Sequence, residues 1–282
     1  MTQSRRRKQF SNLIVVLCGA SVILALIPLA FVFFYVIQQG FSSLNWDFFT
    51  KMPKPVGETG GGMANAIVGT LILIGIASSV AIPVGLIAGV YLAEYRRARF
   101  AEIVRFTADV LNGVPSIVIG IFAYSLFVLP VKHFSALAGG IGLGFMMIPI
   151  ITRTTEELLN LVPSTLREGA LALGATRARA AFSVMVPAAL PGIITGILVA
   201  LARISGETAP LLFTAFSNRF FTTSLNQPIA SLPVQVFTYA IAPYDDWHRQ
   251  AWAGALVLVT VVFVFSMLAR IVTARLERMH KV

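Results

Sequence analysis

Apolar residues run through this chain in long blocks, without the alternation or three-and-four spacing of a half-buried soluble domain. A helix that crosses a hydrocarbon core about 30 Å thick needs roughly 20 mostly apolar residues. Six segments reach or approach that length: 13–37, 64–93, 110–129, 136–151, 188–213 and 252–271. Each is predicted as a transmembrane helix, giving an all-α, polytopic bundle. The fourth is the shortest and carries Gly139, Gly140, Gly142, Gly144 and Pro149. The second is long enough to tilt or to bend at Pro83. The first follows Arg5, Arg6, Arg7 and Lys8, but its apolar stretch exceeds the roughly 7–15 residues of a signal peptide, so it is predicted to remain as an anchor.

Composition supports this reading. Of 282 residues, 57% are hydrophobic and 12% charged, against about 45–50% and about 25% in soluble domains. The mean hydropathy of +0.82 agrees. The one cysteine, Cys18, lies in an apolar run and excludes a disulfide framework. The longest loop, 214–251, has 38 residues, too few for an independent domain.

The net charge of +10 would suggest nucleic acid in a soluble chain. Here its distribution says something else. Lys and Arg number four each in the N-terminal tail, the 94–109 loop, the 152–187 loop and the C-terminal segment. The 38–63, 130–135 and 214–251 loops hold two, one and two. The positive-inside rule then places both termini in the cytoplasm, with 1–12 and 272–282 as tails. One basic residue, Arg203, is left inside a span.

Gly85/Gly89, Gly140/Gly144 and Gly192/Gly196 are small-xxx-small pairs, which let helices approach closely in lipid. Trp46, Trp247 and Trp252 fall near outer span ends, where an aromatic belt is expected. Asp245 and Asp246 read as a solvated turn after Pro243.

The cytoplasmic stretch 160–187 carries helix signals. Thr165-Leu166-Arg167-Glu168 fits a capping box, and Gly174 can supply a left-handed stop. A second short helix over 176–186 is predicted to end before Pro187. Two short charged helices beside a membrane read either as a connector or as a docking surface for a cytoplasmic partner.

Arg203 stands four residues before Glu207, so on a helix the two share a face and can pair. The segment Arg203-Ile204-Ser205-Gly206-Glu207-Thr208-Ala209-Pro210 contains two residues that weaken or bend a helix. One reading is an internal salt bridge or an arginine that reaches the interface. The other is an anion site on a conduction path. Arg donates two parallel hydrogen bonds to an oxyanion and stays charged. Glu207 would hold the guanidinium between anions, and Ser205 and Thr208 would add hydroxyls. No other catalytic constellation is apparent. The histidines His133, His248 and His280 are scattered, and no G-x-x-x-x-G-K-[ST] stretch occurs to cradle ATP.

Four stretches carry a family resemblance. Glu168-Gly169-Ala170-x-x-x-Gly174, nine residues, then Val184-x-Val186-Pro187 resembles the "EAA" loop of binding-protein-dependent ABC-importer permeases, with Gly169 in place of an alanine. Arg203-x-x-Gly206-Glu207-Thr208-Ala209-Pro210-Leu211 resembles the signature of the phosphate-specific permeases of that family (PstA type). So do Asn112-Gly113-Val114-Pro115-Ser116-Ile117-Val118-x-Gly120 and Gln227-Pro228-Ile229-Ala230. The resemblance implies a type I ABC importer permease fold over 64–271 with a cytoplasmic coupling helix. It implies a bacterial inner-membrane subunit of a phosphate importer, with no catalytic or metal site of its own. Glu168, Gly169, Ala170 and Gly174 would meet an ATPase. The implied partners are a PstC-type second permease, two PstB-type ATPases that use ATP and magnesium, and a periplasmic PstS-type phosphate-binding protein. A permease for molybdate or sulfate, and a stand-alone secondary transporter using Glu207, are the alternatives.

Overall fold

The computed structural model describes residues 2–279, and these are helical with no strand beyond an isolated bridge between Pro53 and Gly61. In chain order the helices are α1 (Thr2–Phe41), α2 (Trp46–Thr50), α3 (Ala64–Glu94), α4 (Arg99–Gly113) and α5 (Ser116–Ala123), the last continued by a π turn over Tyr124–Val128. Then come α6 (Ala136–Leu161), α7 (Ser164–Ala172), α8 (Arg177–Ala180), a π turn over Ala181–Met185, and α9 (Val186–Ser205). α10 (Ala209–Thr214), α11 (Leu232–Ala240) and α12 (Asp245–Met279) complete the chain.

Five helices among the described residues are long and apolar enough to cross a membrane, and a sixth crossing results if α4 and α5 form one span. The third apolar segment is therefore not a single straight helix. α4 starts at Arg99, ahead of the expected residue 110, and turns into α5 through 109° at Val114-Pro115. Proline disfavours helical geometry at the residue before it, and Val114 is extended at φ −72, ψ 132. The fourth segment is also longer than expected: α6 runs ten residues beyond 151, through Pro149 and a polar stretch, to Leu161.

Lipid tails are as apolar as leucine, so close backbone packing must hold such helices together. α6 is the hub. A Cβ on Gly85 of α3 would lie 2.7 Å from Ile151 Cβ, and one on Gly192 of α9 would lie 2.8 Å from Leu158 Cδ2. The glycines of α3 and α9 thus open two grooves for α6. The core between these helices contains Leu73, Leu143, Met147, Ile151, Ile204 and Leu211.

A second cluster lies at the other end, around Phe48, Met63, Leu232, Tyr239 and Trp247. Trp247 is buried and stacks on Tyr239 at 4.3 Å, so it is a core residue and not a belt residue. Asp245 and Asp246 open α12 instead of forming a turn. Asp246 accepts from Gly60 N, Arg249 and Gln250, and carboxylates are favoured at a helix N-terminus. By contrast α1 is exposed from Phe10 to Tyr35 and leans on α12 near Gly40 and Tyr35, whose ring meets Trp252 at 5.1 Å.

Candidate functional site

α9 ends where the polar signature begins. Gly206 terminates it at φ −97, ψ 0, with Gly206 N donating to Arg203 O at 3.4 Å and Glu207 N to Ile204 O at 3.2 Å. The helix is interrupted for three residues, Gly206 to Thr208, and resumes as α10, with Pro210 in its first turn, where a missing N–H costs nothing. Arg203 sits in the last turn of α9, a position that favours a cation.

The break changes the expected pairing. Glu207 lies beyond the helix end, so the i, i+4 geometry is lost, and no ion pair joins it to Arg203. Arg203 is exposed and Glu207 half-buried. Ser205 is 1% exposed and its hydroxyl donates to Leu201 O at 2.6 Å, which ties it to its own helix. Thr208 is half-buried, and its hydroxyl makes no hydrogen bond among the described residues.

Two of the quoted motifs meet here. A Cβ on Gly120 of α5 would lie 2.8 Å from Pro210 Cα, so the backbones of α5 and α10 touch. The third motif packs nearby. Ile229 N donates to Ala215 O at 3.2 Å, and Gln227 O accepts from Ala136 N at 3.0 Å.

At the far end of the same helical run lies the predicted coupling loop. α8, its π turn and α9 form a continuous helix of 29 residues, Arg177–Ser205, roughly 40 Å long at 1.5 Å per residue. Pro187 does not end it. A π turn widens the helix just before Pro187, which accommodates a ring that would otherwise strike the carbonyl four residues back. Thr176 caps α8 by accepting from Arg179 N at 3.3 Å.

The capping box at Thr165 is not formed. Pro163 is the N-cap of α7 and Thr165 is already helical, because a proline fixes the extended entry one step earlier. The stop is as expected: Gly174 has φ +84, Ala175 N donates to Ala170 O at 3.1 Å and Gly174 N to Leu171 O at 3.0 Å. This is a Schellman motif, which needs a residue free of Cβ strain. α7 buries none of its residues. Glu168, Gly169 and Gly174 are exposed, Ala170 is half-buried, and Leu173 is 91% exposed.

Sequence reasoning overlooked a charge network. Arg105 of α4 donates through Nε and Nη2 to Glu156 Oε1 of α6 at 2.9 and 2.7 Å. Arg153 pairs with Glu156 Oε2 and, at 2.9 Å, with Asp109 Oδ1. Glu156 is only 3% exposed. The signal in the sequence was Arg153 and Glu156 at i, i+3, but the partner helix was invisible.

Residues 81–278 match the family of binding-protein-dependent transport system inner membrane components. A phosphate transport system permease protein PstA from Yersinia pestis is 43% identical over 98% of this chain and 95% of its own length. A PstA from Haemophilus influenzae is 44% identical over 94% of each. The chain belongs to the PstA family of these permeases. Among solved structures, a chain of the inward-facing MetNI methionine ABC transporter aligns at a TM-score of 0.60 and 18% identity, covering 76% of this chain and 94% of that one. An amino acid ABC transporter chain aligns at 0.56 and 16%. The fold is that of a type I ABC importer permease, a multi-pass protein of the inner membrane.

Proposed function

We propose that the chain is the permease subunit of an ATP-driven inorganic phosphate importer and forms half of its translocation path. The observation that carries this reading is Arg203, exposed and without an ion-pair partner among the described residues, beside a break in α9. A charge at membrane depth costs a few kcal/mol or more and is retained where it faces a cavity or a partner. The curated relatives are phosphate transport permeases by name. Arg203 would offer its planar fork to two phosphate oxygens. Glu207 would hold the local charge near zero, so that the anion binds weakly enough to leave. Thr208 retains a spare hydroxyl, whereas Ser205 is already committed to Leu201.

In this reading a PstC-type permease supplies the other half of the path and a periplasmic PstS-type protein delivers phosphate. Two PstB-type subunits bind ATP and magnesium and hydrolyse the nucleotide. The exposed α7, with Leu173 beside it, presents apolar surface in a charged loop, as a docking face does. Both termini are cytoplasmic by the distribution of Lys and Arg.

The test is uptake of labelled phosphate by vesicles holding the assembled subunits. Arg203→Gln should abolish uptake while the complex still assembles; normal uptake refutes the anion site. Glu168→Ala and Gly174→Val should reduce co-purification of the ATPase; unchanged recovery removes the docking face. Uptake of molybdate or sulfate in place of phosphate would reassign the cargo.

A further inference from the structure

The coupling helix is attached to the bundle in an unusual way. α7 is short and has no buried side chain, so apolar packing does not fix its orientation. Its covalent neighbours are turns: Val162-Pro163 leads in from α6, and Leu173–Thr176 leads out to α8. A rod held by two turns can pivot about the line joining them. α7 also touches the π turn before α9, but one side chain ties it to α3. Arg167 Nη2 donates to Glu94 Oε1 at 2.6 Å, and Glu94 is the last residue of α3. Its carboxylate is 10% exposed, so the pair is shielded from solvent far more than a surface salt bridge.

α3 is well placed to receive a push at that point. One turn back from Glu94, a Cβ on Gly89 would sit 2.7 Å from Thr152 O of α6, so the two helices move as one body there. α6 in turn carries Glu156, which grips Arg105 of α4. The chain of contacts therefore runs from α7 through Arg167 and Glu94 to α3, α6 and α4. This route is separate from the covalent one through α8 and α9 to Arg203. The grip also has a spare donor, since Arg167 Nε is buried without a hydrogen-bond partner among the described residues. A small rotation of α7 that brings Nε onto the same carboxylate would turn a single bond into a bidentate one.

We propose that Arg167–Glu94 is the brace that passes motion of the coupling helix to α3. The pair positions α7; it touches neither cargo nor nucleotide. This rests on the permease reading above, with the ATPase seated on α7. Glu94→Gln and Arg167→Gln complexes should still recover the ATPase subunit and still hydrolyse ATP. Phosphate uptake per ATP hydrolysed should fall about tenfold in each. The charge swap, Glu94→Arg with Arg167→Glu, should regain at least half of that loss, which a merely structural lesion would not do. A second readout needs no cargo. Amide hydrogen exchange over 164–172 should quicken about tenfold in Glu94→Gln and slow again in the swap. Unchanged exchange in 164–172, or a swap no better than the single variants, overturns the brace. A wild-type complex that moves no phosphate counts against the permease reading alone, because the exchange result stands without it.

Discussion

The arginines of this bundle fall into two kinds. Arg105 and Arg153 share Glu156 and Asp109, two cations with two carboxylates, and the group is locally neutral. Its central carboxylate, Glu156, is buried on the α4–α6 seam and holds that seam together. Arg203 lies at the end of α9 with no acidic partner among the described residues and is exposed on the chain's own surface. A paired charge is neutralised within the fold, whereas an exposed charge without a partner in an apolar bundle remains open to a ligand, which is the role proposed above for Arg203. The difference separates residues that hold the α4–α6 seam from the residue that the proposed transport function needs.

The contrast can be broken most directly at Arg203. Its replacement by glutamine should cost transport roughly a hundredfold, the loss of hydrogen bonds to a charged ligand, and leave denaturant stability in detergent unchanged. A parallel fall in stability would put Arg203 in the same class as the network. Glu156→Gln should do the reverse. It leaves two guanidiniums facing each other with their main anion gone and should lower stability by about 3 kcal/mol. Adding Arg105→Gln to that variant should recover about 1 kcal/mol or more, since one uncompensated cation is removed with it. The smallest effect belongs to Asp109→Asn: its carboxylate is 52% exposed, and the expected loss is below about 1 kcal/mol. A large loss there would show that the network acts as a unit.

Several features could be read directly. The apolar blocks, the stop at Gly174 and the weak point at Gly206 all depend on neighbours within a turn or two, and the structure has each of them. Features that depend on a distant partner were misjudged. Hydropathy placed the end of the fourth segment at Ile151 because Thr152, Arg153, Thr155 and Glu156 are polar. Thr152 bonds back to Ile148 O, and Arg153 and Glu156 are paired within α6 and across the seam with α4, so the helix continues. Pro187 was read as a terminator because a proline ring clashes one turn back, but a π turn removes that clash. The Arg203–Glu207 pair assumed a helix through Gly206, although the same sequence gave reason to doubt one.

For the candidate site, the residue types were legible and the relations among them were not. Three quoted stretches lie far apart in the chain, and only packing brings Gly120 against Pro210 and the 227–230 segment against Ala215. No periodicity encodes the meeting of Gly120 with Pro210, because α5 is set apart from α4 by the 109° turn at Val114-Pro115.

The amino-acid order alone determined that this is a membrane bundle, which loops carry positive charge, and where a lone guanidinium enters a span. Transfer of a segment into lipid and the conformational limits of glycine and proline are decided residue by residue. Tertiary structure alone decided which charges are neutralised and that Arg167 ties α7 to the end of α3. Each of those outcomes needs two side chains on different helices to arrive within hydrogen-bonding distance, and the distance is set by how the helices pack.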